Sequence, residues 1–131
     1  MEIPEPSRGE TILLVEDDPA LLELTFSMLE RLGYRVLASD SPDEALQVAA
    51  EHTGPIDLLL TDVIMPGING KELAQQLLTL HPELKLVYMS GYTADVIAHH
   101  GVLDAGVHFL QKPFSRTSLS LKIKEALDEK T

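Results

Sequence analysis

The stretch that decides the fold is "LLLTDVIMPG", Leu58 to Gly67. An apolar run of strand length ends in Thr61-Asp62, and the turn Met65-Pro66-Gly67 follows almost at once. A second stretch, "ILLVEDDP", Ile12 to Pro19, ends in three carboxylates. Runs that are apolar on both faces fit strands buried on both sides, which occur in parallel sheets covered by helices. Carboxylates at the ends of such strands stand where open α/β sheets bind their ligands.

Outward from these two runs, strand and helix signals alternate. The strand "TILLV" (Thr11 to Val15) is followed by Asp18-Pro19, an N-cap and a first-turn proline. Leu21, Thr25, Met28 and Leu32 recur at helical spacing, with Leu22 and Leu29 beside them, and Gly33 ends that helix. "YRVLA" reads as the second strand. Ser41 and Glu44 have capping-box spacing and open a helix that runs to about His52. "IDLLLTD" is the third strand, and Gly70 to Leu80 a helix stopped near His81-Pro82. "KLVYMS" is the fourth strand. A short helix is expected from Thr93 to Gly101, then a fifth strand, "VHFLQK". Ser115 caps a last helix carrying Leu119, Ile123, Ala126 and Leu127 on one face. Five βα units in a row predict a doubly wound α/β fold with a five-stranded parallel sheet and five helices. Residues 1–10, "MEIPEPSRGE", read as a leader or interdomain linker, and residues 11–129 as one domain.

The bulk numbers narrow the chemistry. The 131 residues carry 10 Lys and Arg against 21 Asp and Glu, a formal net charge of −11. That balance disfavours nucleic acid as a direct partner. There is no Cys, so neither disulfides nor thiolate metal sites are available. No apolar run approaches the ~20 residues that cross a bilayer, so no direct membrane contact is expected. Most of the acidic charge has a bland reading as solvated surface. The five His do not form a ligand pattern: His99 and His100 are adjacent, ~100° apart on a helix, and His52, His81 and His108 have no regular spacing.

The strand ends gather Glu16, Asp17 and Asp18 after the first strand, Asp62 after the third, Ser90 after the fourth and Lys112 after the fifth. Taken singly, each has an ordinary explanation: Asp18 as an N-cap, Asp62 and Ser90 as turn residues, Lys112 as a loop lysine. Taken together, they suit oxygen coordination of Mg²⁺ and phosphoryl transfer to a carboxylate nucleophile.

With Glu16-Asp17, Asp62 followed by Val63-Ile64-Met65-Pro66-Gly67, Ser90-Gly91 and Lys112-Pro113-Phe114, the chain resembles the receiver domains of two-component response regulators. The resemblance runs from about Thr11 to Leu127. It implies a flavodoxin-like (βα)5 sheet in strand order 2-1-3-4-5. It implies that Asp62 takes a phosphoryl group from a histidine kinase phosphohistidine. It implies a Mg²⁺ (or Mn²⁺) ion on Asp17, Asp62 and the main-chain carbonyl of Ile64, with Glu16 acting partly through water. Lys112 and Ser90 would hold phosphoryl oxygens, and Ser90 and Phe109 would be switch residues. Phe109 lacks the hydroxyl that a tyrosine-type switch requires. The Lys112–Pro113 bond is implied to be cis.

The implied partners are a histidine kinase domain, in the same chain or another, or a histidine phosphotransfer protein. The implied output surface is the fourth helix, fifth strand and fifth helix, roughly Thr93 to Glu129, which is also the expected homodimer face. The implied location is cytoplasmic, including the cytoplasmic part of a membrane-bound sensor kinase. The leader resembles the linker that joins a kinase ATP-binding domain to a C-terminal receiver, and "MSGYT" and "GVHFLQKPF" resemble receivers of hybrid sensor histidine kinases, so a hybrid origin is expected over a stand-alone regulator. Two other functions compete. A haloacid-dehalogenase-type phosphatase needs a second Asp two residues after the first, where this chain has Ile64. A degenerate receiver that only binds proteins would have lost Asp62, Lys112 or an acidic residue, and all are present. The expectation is therefore a phosphoacceptor module and not an enzyme.

Overall fold

The computed structural model describes residues 9–93 and 107–129. Five strands form one sheet: β1 (Thr11–Val15), β2 (Arg35–Ser39), β3 (Leu58–Asp62), β4 (Lys85–Ser90) and β5 (Phe109–Gln111). All neighbours are parallel and the order is β2-β1-β3-β4-β5, as the resemblance implied. Four helices are described: α1 (Pro19–Arg31), α2 (Pro42–Glu51), α3 (Gly70–Leu80) and α4 (Arg116–Leu127). The helix expected from Thr93 to Gly101 falls almost wholly outside the described residues, as does most of the leader.

The alternation of side chains along β1 builds two cores. Leu13 and Val15 join Leu59, Leu73, Leu77 and Ala45 under α2 and α3. Ile12 and Leu14 join Leu58, Leu60, Leu29, Leu119 and Ile123 under α1 and α4. Every residue of β1 and β3 is buried, which is why both read as unbroken apolar runs.

Three local expectations need correction. The buried face of α1 centres on Thr25 and Leu29, with Leu22, Phe26, Met28 and Leu32 half-buried. Leu21, one of the residues at helical spacing, is 37% exposed, and Leu24 is 52% exposed. Leucines spread over more than the core-facing arc of α1, so periodicity alone did not fix its orientation. At α2, Ser41 accepts the Glu44 N–H, but Glu44 stands in solvent and returns no bond. The complete capping box is at α3, where Asn69 and Glu72 each accept the other's backbone N–H. The fifth strand is shorter than "VHFLQK", because ladder pairing with β4 begins only at Phe109 opposite Tyr88.

Candidate functional site

Strand register brings the site together. Val15 is level with Thr61, so Glu16 follows beside Asp62. Asp62 is level with Met89, and Ser90 with Gln111, so Ser90 and Lys112 follow on the same edge. The Lys112 N–H donates to the Ser90 carbonyl at 2.8 Å, which ties the end of β5 to the end of β4. The Lys112–Pro113 bond is cis.

Lys112 stands between two carboxylates. Its Nζ is 2.6 Å from Glu16 Oε2 and 2.5 Å from Asp62 Oδ1. Glu16 and Asp62 are only 1% and 3% exposed. The second oxygen of Glu16 accepts the Asp18 N–H at 3.1 Å. Asp18 itself caps α1, accepting from Ala20 and Leu21. Both oxygens of Asp62 are buried, and the Lys112 ammonium lies against one of them.

Two buried carboxylates against one ammonium leave the pocket a net negative charge. Burial and then the Glu16 carboxyl push Asp62 up to about 8, against the pull of Lys112. Lys112 loses solvation in the pocket, but the two acids outweigh that loss and hold its ammonium above its ordinary range.

The exposed Asp17 completes the set: Glu16, Asp17 and Asp62 each offer an oxygen within 4.8 Å of the others. All the donors are oxygens, Asp62 and Glu16 are buried carboxylates that share a single cationic side chain, and one side is open through Asp17. That donor set fits a hard divalent cation such as Mg²⁺ or Mn²⁺, which keeps waters and needs only one or two carboxylates. Ile64 follows in the turn with its side chain 55% exposed, and no second carboxylate stands there.

Ser90 is buried at the end of β4, and its hydroxyl accepts the Tyr92 N–H at 3.1 Å. Phe109 is half-buried against the core under α2 and α3, opposite Tyr88. Beside the carboxylates, Leu21, Leu24, Met28, Pro113 and Phe114 line a small groove of about 70 Å³. A wider cavity of about 630 Å³ lies at the opposite end of the strands, near Glu10, Ile56 and Leu84. It is remote from the paired acids and the lysine, so the chemistry is assigned to the carboxyl ends.

Sequence reasoning missed two residues at this site. Gly70 opens α3 directly against the Asp62 carbonyl, where a Cβ would collide with it. Thr61 sends its hydroxyl to the same carbonyl at 3.0 Å. A glycine in the first turn of a helix, where a better helix former is expected, was the available signal for the first.

Comparison with known proteins gives a consistent picture. The family described as "Response regulator receiver domain" matches residues 12–124. "Sensor kinase CckA" of Brucella abortus (strain 2308) is 37% identical over 123 residues, covering 94% of this chain and 13% of that protein. The chain thus spans a small part of that relative. "Response regulator receiver protein CpdR" of the same strain is 33% identical over 116 residues, covering 88% of this chain and 95% of that protein. Among solved structures, the receiver domain from the hybrid histidine kinase CckA aligns with TM-score 0.75 and 36% identity, covering 90% of this chain and 99% of that one.

Proposed function

The chain belongs to the response regulator receiver domain family, and from that premise we propose that Asp62 accepts a phosphoryl group from a phosphohistidine and that protein contacts read the change. Receiver domains are modules of two-component signalling, and what this one adds is the assignment of its own residues. The observation that carries it is Lys112 held between buried Glu16 and Asp62, with the open Asp17 beside them.

One Asp62 oxygen attacks phosphorus in line with the imidazole nitrogen. An O–P bond forms, the P–N bond breaks, and the nitrogen keeps the electron pair and takes a proton. Lys112 neutralises charge on a phosphoryl oxygen. The Ser90 hydroxyl leaves the Tyr92 N–H and donates to another oxygen. Glu16, Asp17, Asp62 and the Ile64 carbonyl would hold a Mg²⁺ or Mn²⁺ ion, which would supply the further positive charge that phosphoryl transfer requires. Asp62 must be ionised to attack, and in this buried pocket added positive charge favours that form.

The donor is a histidine kinase domain or a histidine phosphotransfer protein. Similarity to CckA supports a hybrid kinase with the kinase in the same chain. A stand-alone regulator is the second reading, favoured by the match to nearly the whole of CpdR. The readout surface includes β5 and α4, with Val107 just before β5 37% exposed and Leu121 on α4 60% exposed. Phe109, on β5 and packed towards the core under α2 and α3, is the switch residue, and the β5 and α4 surface is also the candidate homodimer contact. The net charge of −11 argues against nucleic acid as a direct ligand. Among the described residues no helix is long and apolar enough to cross a membrane.

The test is intact mass after incubation with a small acyl phosphate, with and without Mg²⁺, for the parent and Asp62→Asn. A Mg²⁺-dependent gain of one phosphoryl group in the parent alone supports the assignment. A mutant that still takes label overturns it. A parent that takes label neither from the donor nor from a phosphorylated kinase supports a protein-binding module instead.

A further inference from the structure

The peptide unit joining Asp62 to Val63 is held on every side. At its donor end the Val63 N–H bonds the Met89 carbonyl at 3.0 Å. At its acceptor end the Thr61 hydroxyl donates to the Asp62 carbonyl at 3.0 Å. Gly70 packs on the same carbonyl with no room for a Cβ, and its N–H bonds the Val63 carbonyl at 2.7 Å. This unit connects the Asp62 carboxylate to the backbone that carries the Ile64 carbonyl. Rotating it would change the position of one relative to the other.

Thr61 is fully buried and faces Met65, with its hydroxyl 3.9 Å from the sulfur. Its neighbours on that face include Leu59, Val63 and Leu73, all apolar and fully buried. Valine has nearly the same shape and carries no desolvation cost for a hydroxyl. A hydroxyl here is therefore offset by what it bonds, and it bonds the main chain of Asp62.

We propose that Thr61 is a positioning residue for the site: its hydroxyl fixes the Asp62–Val63 peptide so that the Asp62 carboxylate and the Ile64 carbonyl converge on one cation. The inference rests on the reading of Asp62 and Mg²⁺ given above. Thr61 touches neither phosphoryl group nor metal, and acts through the backbone that carries both.

The test compares the parent with Thr61→Val, Thr61→Ser and Thr61→Ala. Mg²⁺ affinity of the unphosphorylated proteins is read by titration calorimetry, the phosphorylation rate by intact mass, and the metal-free melting temperature by circular dichroism. Thr61→Val is expected to lose Mg²⁺ affinity and rate on the order of tenfold, as outer-shell substitutions do at metal sites, while melting close to the parent. Thr61→Ser keeps the hydroxyl and is expected to match the parent in affinity and rate. If Thr61→Val does not fold, the Ser and Ala variants carry the comparison, with Ala impaired and Ser not. Parent-like Mg²⁺ affinity in a folded Thr61→Val, or a Ser variant as impaired as Ala, overturns the proposal. A parent that binds Mg²⁺ but takes no phosphoryl group overturns the phosphoacceptor reading instead, and the affinities still decide the role of Thr61.

Discussion

At the residue scale, the pocket's charge imbalance controls its behaviour. Asp62 is pushed up to about 8, well above an ordinary carboxyl. A carboxyl raised in the folded state binds a proton that the unfolded chain has already lost. Its contribution to stability is therefore present in acid and lost as pH rises towards 8. Metal-free parent should lose stability between about pH 4 and pH 8 relative to Asp62→Asn, which a pair of urea titrations across that range would measure. At pH 8 the mutant should be the more stable by ~1–3 kcal/mol, since Lys112 then pairs one-to-one with Glu16. Mg²⁺ should narrow that gap by stabilising the parent, by ~2.7 kcal/mol at a hundred times its Kd, more than it stabilises the mutant, which lacks one carboxylate of the set. The converse change, Lys112→Met, leaves two buried carboxylates without their cation. It should cost about 3 kcal/mol at pH 8 and less at pH 5, where one carboxyl takes up a proton. An equal cost at both pH values would show that Lys112 contributes by packing rather than by charge.

At the element scale, the helix starts differ in how they are held. The start of α3 carries the reciprocal pair Asn69 and Glu72, whereas α2 has the Ser41 half alone. Asn69→Ala should destabilise the protein by about 1 kcal/mol, with Glu72→Ala adding less than its own single cost on top. A double-mutant cycle of thermal melts reads the coupling. The α3 start also follows directly on the turn from Asp62, so loosening it is expected to lower Mg²⁺ affinity as well. Legibility varied among the elements for physical reasons. β1 was readable to the residue because a fully buried strand makes a continuous apolar run. The orientation of α1 was not, because its leucines occupy the outer face at 21 and 24 as well as the core face.

At the scale of the whole molecule, one sheet divides two cores, and β1 belongs to both. Leu13 lies in the core under α2 and α3, and Leu14 in the core under α1 and α4. Leu13→Ala and Leu14→Ala should each cost about 3 kcal/mol. Each variant should still unfold in a single transition, with far-ultraviolet and tyrosine signals coinciding, because the shared strand couples the two layers. Separate transitions would mean that the layers unfold independently.

The sequence by itself determined the order of elements, the parallel sheet and the identity of the strand-end groups. These follow from local periodicity and from where apolar runs stop. Tertiary structure alone decided which of those groups touch. Lys112 reaches Glu16 across 96 positions in the chain, and only the register of four parallel strands sets that distance. It also decided that the Thr61 hydroxyl turns to the Asp62 carbonyl, and that Gly70 lies too close to that carbonyl for any side chain. Close approach between backbones leaves no periodic trace in a sequence, because it is a property of packing and not of any one segment.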